Sequence, residues 1–214
     1  MHTKPDLAQC MQHLAATGLS AGTSGNASLR VPEGMRITPS GVLPAQLDPA
    51  SEVLMRLDGT VLGGTLEPSS EWRMHAAIYA ARPETGAIVH CHSRHATALA
   101  CCGTPIPAFH YMVAAAGGDS IRCAPYALFG SEELAGHALA ALEDRRACLL
   151  GNHGQIATGA SLEDALALAV EVEELAAQYL LALAAGTPRC LDAAEMRAVI
   201  GRFSGYGQPR ERQA

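Results

Sequence analysis

The chain has 214 residues, of which 49 % are hydrophobic, 17 % are charged and 4 % are aromatic, and its formal net charge is −6. This composition excludes a disordered or fibrous protein, and the length fits one domain over residues 1–214. The acidic balance argues against a nucleic-acid binder, which would carry a basic surplus. Because aromatic residues are scarce, we expect a core of Ala, Leu, Val and Ile.

Apolar spacing predicts helices and strands that alternate along the chain. In chain order these are a helix at 6–17, a short strand led by the polar segment 22–30, strands at 35–38, 52–57 and 61–62, a helix at 71–81, a strand at 87–92, helices at 94–102 and 131–143, a strand at 147–150, and helices at 161–186 and 192–203. The turn Asp58-Gly59 predicts a hairpin and therefore at least one antiparallel pair. The interleaving indicates an α/β protein.

The sequence carries no pattern that predicts secretion or a membrane span. The segment Met1–Asp6 lacks the charged and then apolar pattern of a secretory signal. Residues 96–118, which contain no Asp, Glu, Lys or Arg, include two prolines and are typical of buried core with turns. Seven cysteines without a CxxC pair indicate reduced thiols. We therefore expect a cytoplasmic protein without a membrane partner.

The sharpest motif is His90-Cys91-His92 at the end of a predicted strand. On a strand, residues i and i+2 project to the same face, so both imidazoles point together while Cys91 points away. Two such imidazoles form half of a divalent-metal site, and catalytic zinc usually takes three protein ligands. His153, in the glycine-flanked loop 151–154, is the candidate third ligand. The alternative is two histidines satisfied within the core and an unrelated loop residue.

Ser69-Ser70-Glu71 lies where the predicted helix at 71–81 begins. Two hydroxyls beside free backbone N–H groups and the positive end of a helix dipole form an anion-binding site. The small polar turns 24–26 and 38–41 would add donors if they converged on the same anion. Glu71 would then stand close to a phosphate and within reach of a metal, in a position for general acid–base chemistry. The alternative is an ordinary helix cap.

Taken together and in order, these segments resemble the class II aldolase/adducin family over essentially the whole chain. The matching segments are Gly22-Thr23-Ser24-Gly25-Asn26-Ala27-Ser28, Ile37-Thr38-Pro39-Ser40-Gly41, Ser69-Ser70-Glu71-Trp72-Arg73, His90-Cys91-His92, His110-Tyr111-Met112, Ala114-Ala115-Ala116-Gly117-Gly118, Ala124-Pro125-Tyr126, Phe129-Gly130 and Asn152-His153-Gly154. The resemblance implies a single three-layer α/β/α domain around a central, mostly antiparallel (mixed) sheet. It also implies a homotetramer with active sites between subunits.

The resemblance further assigns roles to individual residues. It implies that His90, His92 and His153 bind one divalent metal per subunit, usually zinc, with manganese and cobalt as alternatives because imidazole sites accept several metals. Glu71 matches the catalytic glutamate and is a candidate fourth ligand. Tyr111 matches a tyrosine that reaches a neighbouring subunit's site and handles the proton on the aldehyde oxygen. The residues that match the phosphate site are Asn26, Ser40, Gly41, Ser69 and Ser70, and those that match the aldehyde pocket are Phe129 and Tyr206.

The reaction that the resemblance implies is reversible cleavage of a ketose 1-phosphate into dihydroxyacetone phosphate and an aldehyde. A metal would stabilise the intermediate enediolate as a Lewis acid. In the cleavage direction, Tyr111 would take the C4 hydroxyl proton and Glu71 would protonate the enediolate. The only lysine, Lys4, lies close to the terminus, which argues against the covalent Schiff-base route. L-Fuculose, 5-deoxyribulose and 5-methylthioribulose 1-phosphates stay open as substrates.

Other activities in the family are alternatives that the residues separate unevenly. The pentulose-phosphate 4-epimerase carries Asp where this chain has Glu71, which favours the aldolase. The thiosugar-phosphate dehydratase needs a further acid downstream of the histidine pair, and residues 96–118 contain neither Asp nor Glu. A decarboxylase of a phosphorylated keto acid stays open because its metal chemistry is similar. A non-catalytic adducin-type module is not expected to keep the complete His, Glu and Tyr set.

Overall fold

The computed structural model describes residues 6–203, in which helices pack on both faces of one sheet. The helices are α1 (Leu7–Ala16), α2 (Trp72–Ala81), α3 (Arg94–Cys101), α4 (Glu132–Ala141), α5 (Leu162–Ala185) and α6 (Ala193–Phe203). The strands are β1 (Asn26–Val31), β2 (Gly34–Ile37), β3 (Val53–Met55), β4 (Val61–Gly63), β5 (Ala87–Cys91), β6 (Cys123–Ala124), β7 (Ala147–Leu150) and β8 (Gly154–Gly159). Within this described range, none of the helices combines the length and the apolarity that a membrane span needs.

The strands lie in the order β4-β3-β2-β1-β5-β8-β7-β6. Neighbouring strands are antiparallel, except that β6 and β7 are parallel. The mostly antiparallel, mixed sheet is therefore confirmed. The pair β3–β4 is the hairpin that the turn Asp58-Gly59 predicted.

Two hydrophobic cores lie on opposite faces of this sheet. Helices α1, α3 and α5 pack on one face, against strand residues such as Val89 and Ala157. Helices α2 and α4 pack on the other face, against Ile88 and Ile156. Consecutive residues of β5 and of β8 therefore point into different cores, as the pleat requires. The three-layer α/β/α arrangement is confirmed.

The structure adds elements that the sequence analysis missed. Apolar spacing placed the six helices to within two residues at each end, but it did not predict β6, β8 or the 3₁₀ helix Tyr111–Ala116. β8 carries two glycines and no apolar run, yet all six of its residues are buried. A strand covered on both faces has no polar side to reveal it by alternation.

Candidate active site

Three imidazole rings, two from one segment of the chain and one from another, meet at one end of the sheet. The Nε2 atoms of His90 and His92 lie 3.0 Å apart. The ring centroids of His90, His92 and His153 are separated by 4.9, 4.8 and 4.9 Å and form a nearly equilateral triangle. Glu71 completes a group whose four ligand atoms all lie within 4.8 Å of one another. The structure thus brings together the three histidines and the carboxylate that the sequence singled out.

Strand pairing explains how His153 reaches the other two rings. His90 lies in β5, His92 lies just beyond its end, and His153 lies in the turn between β7 and β8. Strand β8 runs antiparallel to β5, with Gln155 opposite Cys91. The turn that precedes β8 therefore lies beside the end of β5.

Two residues of this turn allow the close approach. Asn152 adopts the left-handed conformation with a φ of 53°, which asparagine tolerates better than most residues. At Gly154, an added Cβ atom would lie 2.6 Å from the carbonyl oxygen of Cys91 and 2.9 Å from the ring of His92. Only glycine fits at this position without moving the histidine pair.

Glu71 contacts the rings from the N-terminal end of α2. It is the residue immediately before the helix, and 6 % of it is exposed. Its Oε2 atom lies 3.1 Å from His90 Nε2, and its Oε1 atom lies 3.2 Å from His153 Nε2. Oε1 is buried, and because its contact with His153 does not have hydrogen-bond geometry, it has no hydrogen-bond partner within the described part of the chain. A buried carboxylate oxygen in this state is costly unless a cation compensates it.

Two of the three rings are in the neutral form that metal binding requires. Burial, together with the charge of His90, lowers the pKa of His92 and of His153 to about 4, so both rings are neutral at pH 7. His90 Nδ1 donates a hydrogen bond of 2.8 Å to the backbone carbonyl of Gln155, which leaves Nε2 facing the cluster. Burial opposes the charges of Glu71 and His90, but their mutual attraction outweighs it, lowering the pKa of Glu71 and raising that of His90.

This donor set fits a divalent cation. Imidazole nitrogens and a carboxylate oxygen are common zinc ligands, and imidazole also binds other first-row metals. The attraction between Glu71 and His90 indicates that the cluster favours positive charge, which a cation would supply without protonating a ring. The bond from His90 Nδ1 to a carbonyl is the kind of outer contact that fixes the tautomer and orientation of a metal-binding histidine.

A cleft of about 440 Å³ opens beside the cluster. Its walls include the loop 23–26, the turn 39–41 and residues 69–71 at the start of α2. These are the three polar segments that the sequence proposed as converging on one anion. The positive end of the α2 dipole faces the same region, so the cleft favours a ligand that carries negative charge.

Backbone hydrogen bonds hold two of these segments side by side. The N–H of Ser40 donates to the carbonyl of Glu67 at 3.0 Å, and the N–H of Ser69 donates to the carbonyl of Thr38 at 3.0 Å. This pairing places four of the five residues expected to bind phosphate around the same cleft, namely Ser40, Gly41, Ser69 and Ser70.

Asn26, the fifth residue of the expected phosphate site, is engaged with the protein. Its side chain lines the cleft, but 3 % of the residue is exposed. The amide nitrogen donates to Glu71 Oε2 at 3.0 Å, and the amide oxygen lies 2.6 Å from His75 Nε2. Its binding of phosphate stays a prediction. Its contact with Glu71 was not predicted, because nothing in the local sequence pairs the two.

The aromatic residues that the sequence analysis proposed for the site differ in their relation to the cleft. Phe129 lines the cleft and is 61 % exposed. Tyr126 also lines it, and the only sequence signal for this was its place within a matching segment of the family. Tyr111 lies in the 3₁₀ helix that starts at this residue, is 51 % exposed, and does not line the cleft of its own chain. Tyr206 lies outside the described residues.

Comparison with known proteins finds relatives that are similar to this chain over most of its length. A family profile described as class II aldolase and adducin N-terminal domain matches residues 5–180. The chain is 51 % identical over 201 residues to a 5-methylthioribulose-1-phosphate/5-deoxyribulose-1-phosphate aldolase of Rhodospirillum rubrum, covering 94 % of this chain and 90 % of the relative. It is 48 % identical over 199 residues to an L-fuculose phosphate aldolase of Escherichia coli O6:H1, covering 92 % of each.

A solved structure of an L-fuculose 1-phosphate aldolase superposes on this fold with a TM-score of 0.89 at 41 % sequence identity, covering 92 % of this chain and 94 % of that one. The chain belongs to the class II aldolase and adducin family. The expectation of an enzyme of the aldehyde-lyase class is also confirmed, since the relatives described above are named aldolases.

Proposed function

We propose that the chain reversibly cleaves a ketose 1-phosphate to dihydroxyacetone phosphate and an aldehyde. The observation that carries this proposal is the placement of Glu71 both in a cluster with three histidines and in the wall of a cleft lined by three polar segments. Relatives named for L-fuculose phosphate and for 5-methylthioribulose and 5-deoxyribulose 1-phosphates support this substrate class. The exposed rings of Tyr126 and Phe129 suit the apolar end that these three substrates share.

We assign one divalent metal per subunit, with zinc as the first choice, to His90, His92 and His153. When bound, such a cation would supply Lewis-acid stabilisation of negative charge on the substrate oxygens. Glu71 is the candidate fourth protein ligand before substrate binds. The other steps depend on groups of the chain itself.

Glu71 and the cleft residues account for proton transfer and for positioning. In the condensation direction, the Glu71 carboxylate takes a proton from the hydroxymethyl carbon of dihydroxyacetone phosphate, and that carbon attacks the aldehyde. This step needs Glu71 in the carboxylate form, which can accept a proton. Ser40, Ser69 and Ser70 would hold the phosphate away from the reacting carbon and fix its geometry. In cleavage the transfers run in reverse.

Tyr111 is proposed to donate the proton that the aldehyde oxygen acquires in condensation. It does not line its own cleft and half of it is exposed, which supports a role at the site of a neighbouring subunit in a homotetramer. Residues 6–203, which the structure describes, contain no lysine that could form a Schiff base with the substrate. A cytoplasmic location, which the free cysteines suit, stays a prediction.

The proposal is tested by assaying products over L-fuculose, 5-deoxyribulose and 5-methylthioribulose 1-phosphates, with metal content measured on the same sample. Dihydroxyacetone phosphate is detected by its enzymatic reduction with NADH, and the aldehyde is detected separately. Release of both products in equal amounts supports the proposal. Metal-loaded protein that releases neither product from any of the three would contradict it. Release of carbon dioxide from a phosphorylated keto acid would instead favour the decarboxylase.

Glu71→Gln gives the first prediction. The amide keeps the shape of the side chain and its bond to Asn26, but it cannot accept a proton. We expect metal content and phosphate affinity close to the wild-type values, with kcat lowered by about 10²- to 10⁴-fold. Steady-state kinetics and metal analysis on the same preparation check this. Turnover within a few-fold of the wild type would remove Glu71 from the acid–base role.

A further inference from the structure

Helix α2 and strand β1 face each other with polar side chains at matched spacings. Glu71, His75 and Tyr79 are four residues apart, which places them on one side of the helix. Asn26 and Ser28 are two residues apart, which places them on one side of the strand. The exposed fraction is 6 % for Glu71, 3 % for Asn26, 1 % for Tyr79, and 0 % for His75 and Ser28. These polar groups therefore meet in the interior, where each needs a partner.

Hydrogen bonds join the five side chains into one continuous series that ends at the histidine cluster. Tyr79 OH lies 2.8 Å from Ser28 Oγ, and Ser28 Oγ lies 2.7 Å from His75 Nδ1. His75 Nε2 lies 2.6 Å from Asn26 Oδ1, and Asn26 Nδ2 lies 3.0 Å from Glu71 Oε2. The same Oε2 atom lies 3.1 Å from Nε2 of His90.

The direction of each hydrogen bond follows from the Glu71 end. An ionised carboxylate only accepts, so the amide nitrogen of Asn26 faces it and the amide oxygen faces His75. That oxygen also only accepts, so His75 Nε2 carries a proton and donates it. In the neutral ring, Nδ1 then accepts from the Ser28 hydroxyl, and Ser28 Oγ accepts from Tyr79. Burial, together with the charge of the nearby cluster, lowers the pKa of His75 to about 3, which agrees with a neutral ring.

Within this series, the side-chain amide of Asn26 has two orientations that fill nearly the same space. Rotation of its amide by half a turn would place the carbonyl oxygen against the Glu71 carboxylate and the NH₂ group against the His75 N–H. Two acceptors would then face each other, and so would two donors, in a site closed to water. The Glu71 carboxylate and the N–H of His75 therefore favour the same amide orientation, in which Asn26 donates to Glu71.

We infer that His75 is a positioning residue that acts through Asn26 to hold the Glu71 carboxylate in the orientation needed for proton transfer. The inference rests on the proposed function for the role of Glu71. It predicts that loss of the N–H at Nε2 of His75 lowers kcat, whereas loss of the acceptor at Nδ1 lowers the free energy of unfolding. Two substitutions separate these sides, because a glutamine amide reaches the place of Nε2 and an asparagine amide reaches the place of Nδ1.

The test compares kcat and KM of His75→Gln and His75→Asn. We expect His75→Asn, which cannot reach Asn26, to lose about 10- to 100-fold in kcat while KM changes little. His75→Gln keeps a donor for Asn26 and should keep kcat within about fivefold of the wild type. The control for general destabilisation is Thr158→Val, which removes a buried hydroxyl that bonds the carbonyl of Arg146 at 3.1 Å. Equal losses of kcat in both His75 variants would overturn the inference.

A second measurement does not depend on activity. Nitrogen-15 NMR of the imidazole of His75 in the wild-type protein should show a protonated Nε2 and an unprotonated Nδ1. The opposite tautomer would overturn the inference even in an active enzyme. If the tautomer is the expected one but no ketose 1-phosphate is cleaved, the proposed function is wrong. The positioning role inferred for His75 then fails with it. If the enzyme is active and His75→Asn is not impaired, only the inference fails.

Discussion

Two neighbouring residues at the end of β5 illustrate how position decides whether a side chain can bind a cation. The thiol of Cys91 lies in the core formed with α1, α3 and α5, and burial raises its pKa to about 12. A neutral buried thiol is a poor metal ligand at pH 7. His92 lies one residue further along and turns its ring toward His90 and His153. Histidine and cysteine both bind metals, and here the pleat of the strand selects the histidine.

His92→Ala is therefore expected to lose metal and activity together. Loss of one of the three imidazole ligands weakens the binding of a divalent cation, because fewer protein atoms then hold it. Metal content after dialysis against metal-free buffer should fall well below one per chain. Cys91→Ala is the matched control, since it changes the adjacent residue without removing a ligand. Equal metal content in the two variants would contradict the assignment.

The phosphate site is tested separately at Ser70, which is exposed at the mouth of the cleft. Its hydroxyl would donate to a charged oxygen, and such bonds are worth about 1.5–3 kcal/mol. We expect Ser70→Ala to raise KM by about tenfold or more and to weaken inhibition by inorganic phosphate, with a smaller change in kcat. Ser51→Ala, at a serine that does not line the cleft, is the control. An unchanged KM would place the phosphate elsewhere.

At the scale of elements, helix α2 supports the site because its N-terminal end carries Glu71. Its C-terminal end is held by Arg30 of β1. The guanidinium donates to the carbonyl of Thr85 at 2.7 Å, to that of Tyr79 at 2.7 Å and to that of Arg82 at 2.9 Å. The final carbonyls of a helix lack partners within it, and Arg30 here satisfies that of Tyr79 in the last turn and that of the C-cap residue Arg82.

Arg30→Met should lower the free energy of unfolding by about 2 kcal/mol, because carbonyls at the end of α2 lose a charged donor. Arg36→Met on the neighbouring strand β2 is a matched control. Arg36 pairs with Glu52 at 3.3 Å, but its side chain is 54 % exposed, so we expect a loss below about 1 kcal/mol. Urea unfolding of both variants measures the difference. Similar losses would show that Arg30 does not stabilise α2 as described.

The helices were predictable because their signals are local. Ser131 and Ser161 cap α4 and α5 by accepting from the N–H groups of Leu134 and Asp164, as serine before an apolar periodic segment suggests. Strand β8 was not predictable, because the side-chain amide nitrogen of its polar Gln155 finds partners only through tertiary contacts. The amide nitrogen of Gln155 donates to Ser93 Oγ at 2.7 Å and to the carbonyl of Ala169 at 3.0 Å. No local pattern announces partners so distant in sequence.

At the scale of the whole molecule, the distinction between local signals and long-range contacts also separates the parts of the site. The i, i+2 spacing of His90 and His92 is a local property, so their common direction followed from the strand alone. The approach of His153 depends on the pairing of β8 with β5, and the contact of Asn26 with Glu71 depends on the packing of α2 against β1. The family resemblance predicted the first of these long-range contacts but not the second.

Tyr111 raises the question of whether one chain contains a complete site. We expect Tyr111→Phe and Glu71→Gln each to have low activity alone, because each lacks one proton-transfer group. If sites lie between subunits, a mixed assembly contains some sites with Glu71 from one chain and Tyr111 from its neighbour. Random mixing of equal amounts of the two variants should restore activity at about a quarter of the sites. Co-expression with two different affinity tags isolates the mixed assemblies for assay.

The control for this experiment combines Glu71→Gln with His92→Ala. Both residues belong to the cluster formed within a single chain, so no arrangement of these two variants rebuilds a complete site. Activity should therefore stay low in this mixture and rise only in the mixture with Tyr111→Phe. If neither mixture gains activity, although mixed assemblies are isolated, Tyr111 acts within its own chain or not at all. A gain in both mixtures would mean that the histidine cluster itself is shared between subunits.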